Sequence, residues 1–302
     1  MLDKKQIRAY LERIGIQDIR EPTKKFLFDL HRAHVEFLTW QTIDIFAGRP
    51  VPIDEVSSIQ LILNGRSGYC FHLNGAFSAL LRSLGYNVSR HRGGVQPPGE
   101  QPRVSGFHMG LTVTLANEQG EDERWIIDVG LGDMPYEPLP LREGVYEQGP
   151  YRYKVTKSDV AANGWRLEHD ALSSFVGVDF APEEVEDIGP FIPKHQHYSR
   201  SQDSPWINLF LIRHRHASGG NELRGCIWSK RGKDGVEKIE LKTKSEWLDV
   251  LYDVFGERLT AYSALEREEL WKKTKAIHED WKKRRYAAQE EYVHVDNRGQ
   301  QR

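Results

Sequence analysis

One ten-residue stretch, Arg66-Ser67-Gly68-Tyr69-Cys70-Phe71-His72-Leu73-Asn74-Gly75, constrains this chain more than any other. From it, apolar residues recur at Leu73, Phe77, Leu80, Leu81 and Leu84, the period of one buried helical face. Gly85 then ends the pattern as a helix C-terminus usually requires. Cys70 is thereby placed at a helix N-terminus, where the partial positive charge of the dipole favours thiolate over thiol. That makes it a candidate nucleophile.

Around this point the chain changes rhythm. The first 85 or so residues read as helical: Ile7, Tyr10, Leu11 and Ile14 share a face closed by Gly15. A second helix begins after Pro22 and Thr23, with Phe26, Leu27, Leu30, Phe37 and Leu38 inward. From about Val88, residues 106–115 and 123–129 read as strands joined by a polar turn at 117–122. Short segments at 151–155 and 164–167 extend a strand-and-turn rhythm to about residue 180, which suggests a small antiparallel sheet or barrel. Beyond Pro190, strands are expected over 206–213, 224–229 and 235–241. Thr243 with Glu246 then forms a capping box for a helix carrying Trp247, Leu248, Leu251, Val254 and Phe255. The final 38 residues read as a charged helix with spaced Trp271, Ile277 and Trp281, ending in a frayed tail.

A chain of 302 residues is long for one core, so two or three domains are expected. Apolar residues at 39% and charged residues at 28% exclude disorder, and a net charge of -2 offers no global field for nucleic acid or anionic membrane. Two cysteines cannot build a disulfide framework. There is no signal-peptide pattern at the start and no apolar run near the roughly 20 residues of a membrane span. These features lead to the expectation of a cytoplasmic, soluble protein that is a monomer or homodimer.

A thiol nucleophile needs a base within hydrogen-bond reach and a third group to orient that base. His108 and Asp128 have positions averaging to 118, inside the hairpin turn, so the pair is expected to lie nearly opposite across the hairpin. A register slip of one residue would separate them to opposite faces. The aspartate would hold the imidazole in one tautomer and favour an imidazolium beside a thiolate. Each residue also has a plainer reading: Cys70 as a small buried hydrophobe, His108 as a structural histidine, Asp128 as a strand end. Local context alone leaves the choice open.

The Cys70 stretch, Phe107-His108-Met109 and Trp125-Ile126-Ile127-Asp128-Val129-Gly130-Leu131-Gly132 together resemble the arylamine N-acetyltransferase family. Cys70 to His108 is 38 positions and His108 to Asp128 is 20, close to the family's spacing. Weaker likeness reaches Tyr10 to Gly15, Arg32 to Val35 and Gly48 to Val51. The resemblance implies an α+β chain in three parts: an N-terminal helical bundle (1–87), a central antiparallel β-barrel (88–190) and a C-terminal α/β lid (191–302). It further implies a cysteine-protease-like Cys-His-Asp site of Cys70, His108 and Asp128. The implied reaction is ping-pong acetyl transfer from acetyl-coenzyme A to an arylamine, hydrazine or arylhydroxylamine through acetyl-Cys70. Oxyanion donors are expected near Cys70 and in a Gly93-Gly94-Val95 loop.

Three departures from the family pattern stand out. Gln41 replaces a glutamate that ordinarily pairs with the arginine matching Arg66; Gln41 can accept one hydrogen bond from Arg66 but brings no charge, unless another carboxylate has taken its place. His72 replaces a second glutamate, and loss of both acids is expected to make the site more positive. Leu131 stands where phenylalanine is common and removes an aromatic wall.

On the same resemblance Gly94, Gly130 and Gly132 are candidates for close approach of the coenzyme. Trp40, Val95, Leu131 and Trp206 are candidates for the acceptor pocket, with Asn208 beside Trp206 on a lid strand. His195 and His197 could ligate a metal at i, i+2 on a strand, but no matching partner accompanies them, so no metal is expected. Lys272-Lys273 and residues 282–285 read as a solvated helix face, and Cys226 as an inert strand residue. Rival readings keep the triad but change the chemistry: an amide-forming acyltransferase with another donor or acceptor, or a thiol hydrolase or transglutaminase-like enzyme. A non-catalytic relative is a third.

Overall fold

Five helices occupy the first third of the chain in the computed structural model, which describes residues 1–299 and side chains through residue 285. The first, α1 (Lys4–Arg13), opens on a capping box between Asp3 and Gln6 and stops at Gly15, whose φ of 74° is the left-handed conformation glycine adopts without strain. α2 (Lys24–Phe37) opens on Thr23, whose hydroxyl accepts from the Phe26 N–H. A two-residue strand β1 (Trp40–Gln41) and α3 (Ile43–Phe46) follow, then α4 (Glu55–Leu63) and α5 (Cys70–Ser83). Every residue of α5 from Cys70 to Leu81 is buried, so this helix forms the centre of the bundle rather than one of its faces. Phe37, expected inward, is 53% exposed. The buried stripe of α2 runs Leu27, Leu30, His34 and Leu38, and Phe37 falls one position off it, with its ring laid over Gly15.

The middle of the chain is an eight-stranded antiparallel sheet. Its strands are β2 (Asn87–Gln96), β3 (His108–Ala116), β4 (Asp122–Ile127), β5 (Leu139–Pro140), β6 (Gly144–Gln148), β7 (Tyr151–Lys157), β8 (Trp165–Glu168) and β9 (Gly177–Glu184). The order β5-β4-β3-β2-β9-β8-β7-β6 curls into a nearly closed barrel. Where the two edges face each other, the Gln148 side chain bridges the seam, accepting from Glu137 N at 3.1 Å and donating to Glu137 O at 3.0 Å.

After a 3-10 turn at Gly189–Phe191 come α6 (Ile192–Arg200) and a second 3-10 turn at Pro205–Asn208. The last sheet contains β10 (Leu211–His216), β11 (Gly219–Arg224), β12 (Ile227–Gly232) and β13 (Gly235–Glu240), and is covered by α7 (Lys244–Phe255) and α8 (Ala264–Gly299). Two strand assignments are corrected here. The first half of 206–213 is a 3-10 turn because Pro205 at its start cannot donate to a ladder. The run 224–229 is broken at Gly225, which turns with φ of 60° and leaves Cys226 in the hairpin bend. The Thr243–Glu246 capping box is present as read. The frayed tail expected beyond α8 lies outside the described residues.

The last sheet has the order β1-β10-β11-β12-β13, so its outermost strand comes from residues 40–41. Two hydrophobic clusters result. One joins the helices to the barrel interior; the other places Ile43 and Phe46 among Phe210, Ile212, Trp247 and Leu251.

Candidate active site

Cys70 is the first residue of α5, and the preceding Tyr69 provides no side-chain cap. The thiol is 4% exposed and faces Phe107 O at 3.8 Å. Burial pushes it well above the usual thiol range, and the charge of Asp128 pushes the same way; nearby backbone N–H groups work in the opposite sense. The helix terminus expected to favour thiolate is therefore outweighed by desolvation. Ionisation of Cys70 needs a proton acceptor at close range.

The hairpin joins His108 to Asp128 by a different register from the one expected. β3 and β4 pair from Leu111↔Ile127 to Ala116↔Asp122, because the turn occupies five residues closed by Asn117 N to Glu121 O. Continued, this register sets Asp128 opposite Gly110, two residues from His108. The pair is diagonal rather than directly opposed, and a two-residue offset preserves the face. His108 Nε2 lies 2.6 Å from Asp128 Oδ2, with both side chains at most 1% exposed.

The other Asp128 oxygen is held as firmly. Oδ1 accepts from Asn74 Nδ2 at 3.0 Å and from Gly130 N at 2.9 Å. Asn74 also donates to Met109 O at 2.5 Å and accepts from Val129 N at 3.0 Å. One side chain thus ties α5 to β3 and to the segment after β4. Asn74 is one turn after Cys70 on the same helix face, which is the signal by which its role could have been read from spacing. With three donors converging on it, Asp128 acts as an acceptor-only carboxylate. That makes His108 Nε2 the protonated nitrogen and leaves the Nδ1 lone pair for a second partner.

Gly130 and Gly132 serve the chain's own packing. A Cβ on Gly130 would stand 2.8 Å from both Cys70 Cα and Asn74 Nδ2; one on Gly132, at φ of 81°, would stand 2.6 Å from Arg213 Cδ. Gly94 is likewise filled from within, by the backbone of Arg103. Residues 93–95 are not a loop but part of β2, paired with β9, so their N–H groups belong to a ladder. Val95 is half-buried there, and Leu131 lies in the main hydrophobic cluster.

Arg66 does not use Gln41. Its guanidinium pairs with Asp44 Oδ1 at 2.5 Å, and that oxygen also accepts from Tyr262 OH at 2.5 Å. Gln41 instead donates to Ser67 O at 2.6 Å and accepts from Ile43 N at 2.5 Å, a geometry that fixes the β1–α3 corner. Asp44 is the carboxylate that takes over the arginine. His72 does not add positive charge, since burial lowers its pKa to about 4 and Nε2 donates between Val51 O and Pro52 O.

Aromatic rings collect beside Cys70. Trp206, on the 3-10 turn rather than a strand, meets Trp40 at 5.8 Å and Tyr69 at 5.2 Å edge to face, and stacks on Tyr198 at 4.3 Å. Tyr198 in turn meets Phe107 at 4.7 Å. His195 and His197 are on α6, not a strand; His195 Nδ1 is 2.5 Å from Tyr69 OH, and burial lowers its pKa to about 4. Among the described residues, no three His, Cys, Asp or Glu side chains are grouped to hold a metal. Lys273 is no solvated charge: its Nζ donates to Phe46 O and Ile207 O.

A family model described as N-acetyltransferase matches residues 25–264. An arylamine N-acetyltransferase / N-hydroxyarylamine O-acetyltransferase of Salmonella typhimurium is 30% identical over 262 residues, 83% of this chain and 88% of that one. The solved arylamine N-acetyltransferase of Mycobacterium abscessus has a TM-score of 0.77 at 25% identity, covering 89% of this chain and 94% of its own. That of Mycobacterium marinum, solved in complex with CoA, shares the fold at 24% identity with a TM-score of 0.78, covering 90% and 99%.

Proposed function

The chain belongs to the arylamine N-acetyltransferase family, and from that premise we propose that Cys70 carries an acetyl group from acetyl-coenzyme A to an arylamine, hydrazine or arylhydroxylamine. The observation that carries the assignment is the His108–Asp128 bond of 2.6 Å, anchored by Asn74 to the helix that begins at Cys70.

In this reading His108 Nδ1 takes the Cys70 proton as the sulfur attacks the acetyl carbonyl. The carbon–sulfur bond to coenzyme A then breaks, and the departing thiolate receives the proton from His108. The acceptor amine attacks acetyl-Cys70, gives its proton to Nδ1 and leaves as the amide while the thiol is restored. Asp128 stays ionised throughout and holds the ring in one tautomer. Burial of Cys70 serves this exchange by excluding water, which would otherwise hydrolyse the thioester. The N–H groups at the start of α5 are the nearest oxyanion donors. The acceptor ring is placed against Trp40, Trp206 and Leu131, with Tyr198 added to that wall and Val95 at its margin.

The two cysteines are unpaired, and no helix among the described residues is long and apolar enough to cross a membrane. The unpaired thiols support a cytoplasmic setting.

Mass spectrometry of the intact protein after mixing with acetyl-coenzyme A tests the proposal. A single acetyl adduct on Cys70, absent from Cys70→Ala and discharged by an aromatic amine, is expected. An unmodified wild-type protein would overturn it.

A further inference from the structure

A cleft of about 180 Å3 opens between the last sheet and α8. Its walls are apolar, with Phe46, Phe210, Ile277 and Trp281 among them. Arg224 and Arg284 also line it, and no acidic residue does. The carboxylate beside Arg224 in β11 is Glu222, which Arg213 and Arg231 already hold at 2.7 and 3.2 Å. Among the described residues neither Arg224 nor Arg284 forms an ion pair.

A separate observation points to an occupant. Thr274 is 2% exposed and lines the cleft, yet its hydroxyl has no hydrogen-bond partner. A hydroxyl that loses water without gaining a partner is costly, and such groups are rare unless a ligand or ordered water completes them. Trp281 forms a ring wall 43% open to solvent and stacks on His278 at 5.5 Å.

We infer that this cleft binds a small planar aromatic anion, its ring between the apolar walls and its charged group reaching Arg224, Arg284 and the Thr274 hydroxyl. The volume suits the assignment, because a cavity of roughly 150 Å3 holds a benzene ring. A carboxylate matches the forked guanidinium donors. The cleft is not lined by Cys70, so this binding does not depend on acyl transfer.

Calorimetric titration of the full chain with benzoate, benzamide and inorganic phosphate is the test. Expected is saturable 1:1 binding of benzoate, at least about tenfold tighter than the neutral amide or the ring-free anion, and weakened about tenfold or more by Arg224→Gln. Thr274→Val is the second variant: it removes the orphan hydroxyl without changing the shape, and should weaken benzoate binding while leaving the fold intact. Benzoate bound equally well by Arg224→Gln and Thr274→Val would locate it elsewhere and overturn the inference. Equal affinity for benzamide, or no saturation, would do the same.

Discussion

Asn74 and Asp128 are joined at 3.0 Å, and through that bond the helix that begins at Cys70 is tied to the carboxylate bonded to His108. The two residues are 54 positions apart, in different layers of the fold. Asn74 satisfies Met109 O and Val129 N with its remaining groups, so a single amide determines how α5, β3 and the loop after β4 meet.

Replacing Asn74 by alanine removes the side-chain partner of the buried Val129 N–H and Met109 O, and leaves Asp128 Oδ1 with Gly130 N alone. It should cost about 2–3 kcal/mol of stability and lower kcat roughly 10–100-fold through misplacement of His108. Urea unfolding and steady-state acetylation measure the two effects. Wild-type activity in this variant would remove Asn74 from the site's scaffold.

Asp128→Asn keeps the shape but can donate to His108 Nε2, which favours the wrong tautomer. Acetylation of Cys70 should slow by about 10^4-fold, the loss found when a triad aspartate is so replaced. Single-turnover release of coenzyme A thiol reports this step directly.

Gly130→Ala forces a methyl to within 2.8 Å of Cys70 Cα and Asn74 Nδ2. Since the neighbours are a helix backbone and a fully bonded amide, the loop must retreat and take Asp128 with it. Loss of about tenfold or more in kcat/KM is expected, with a lowered melting temperature in the same preparation.

Gln41→Glu would place an acid beside Arg66, yet it should destabilise this chain. Gln41 donates to Ser67 O at 2.6 Å, and a carboxylate there would face a carbonyl with no proton between them. Arg66 is already engaged by Asp44. A loss of about 1–3 kcal/mol in urea unfolding is expected, whereas a gain would show that Arg66 can be recaptured.

His72 gives stability a pH dependence of known sign. Its pKa falls from 6.5 to about 4 on folding, so the unfolded chain binds the extra proton between those values. The contribution is complete above pH 6.5 and is lost as pH falls through about 4. Within that window the slope from this one residue approaches ~1.4 kcal/mol per pH unit. Urea midpoints measured from pH 7 to pH 4.5 should fall less steeply in His72→Gln, and parallel curves would refute the assignment.

Cys70, His108 and Asp128 stand out in sequence as candidates because each lies in a short local pattern: a helix start, a strand start and a strand end. Sequence alone misjudges their mutual register, since a five-residue turn shifts the hairpin centre by one position while keeping Asp128 on the correct face. Asp44 could not be read as the partner of Arg66, because only the fold brings residues 44, 66 and 262 together. Trp206 was assigned a strand on its apolar neighbours, and Pro205 decided otherwise. The glycines show the same limit. Their presence in the Asp128 box is visible in sequence, but that the space beside them is filled by Asn74 and Arg213 is a property of packing alone.

β1 has one further effect, which concerns synthesis rather than catalysis. Ile43 and Phe46 are buried among Phe210, Trp247 and Leu251, while Trp40–Gln41, bridged on one side to Gly68, pair with β10 on the other. During translation Ile43 and Phe46 therefore wait without their core partners until roughly two hundred more residues have left the ribosome. The same stitch means that a chain cut after residue 190 would expose a bare strand edge and two orphaned core side chains. The last third of the protein thus returns to its first, and the two share one core cluster and one sheet.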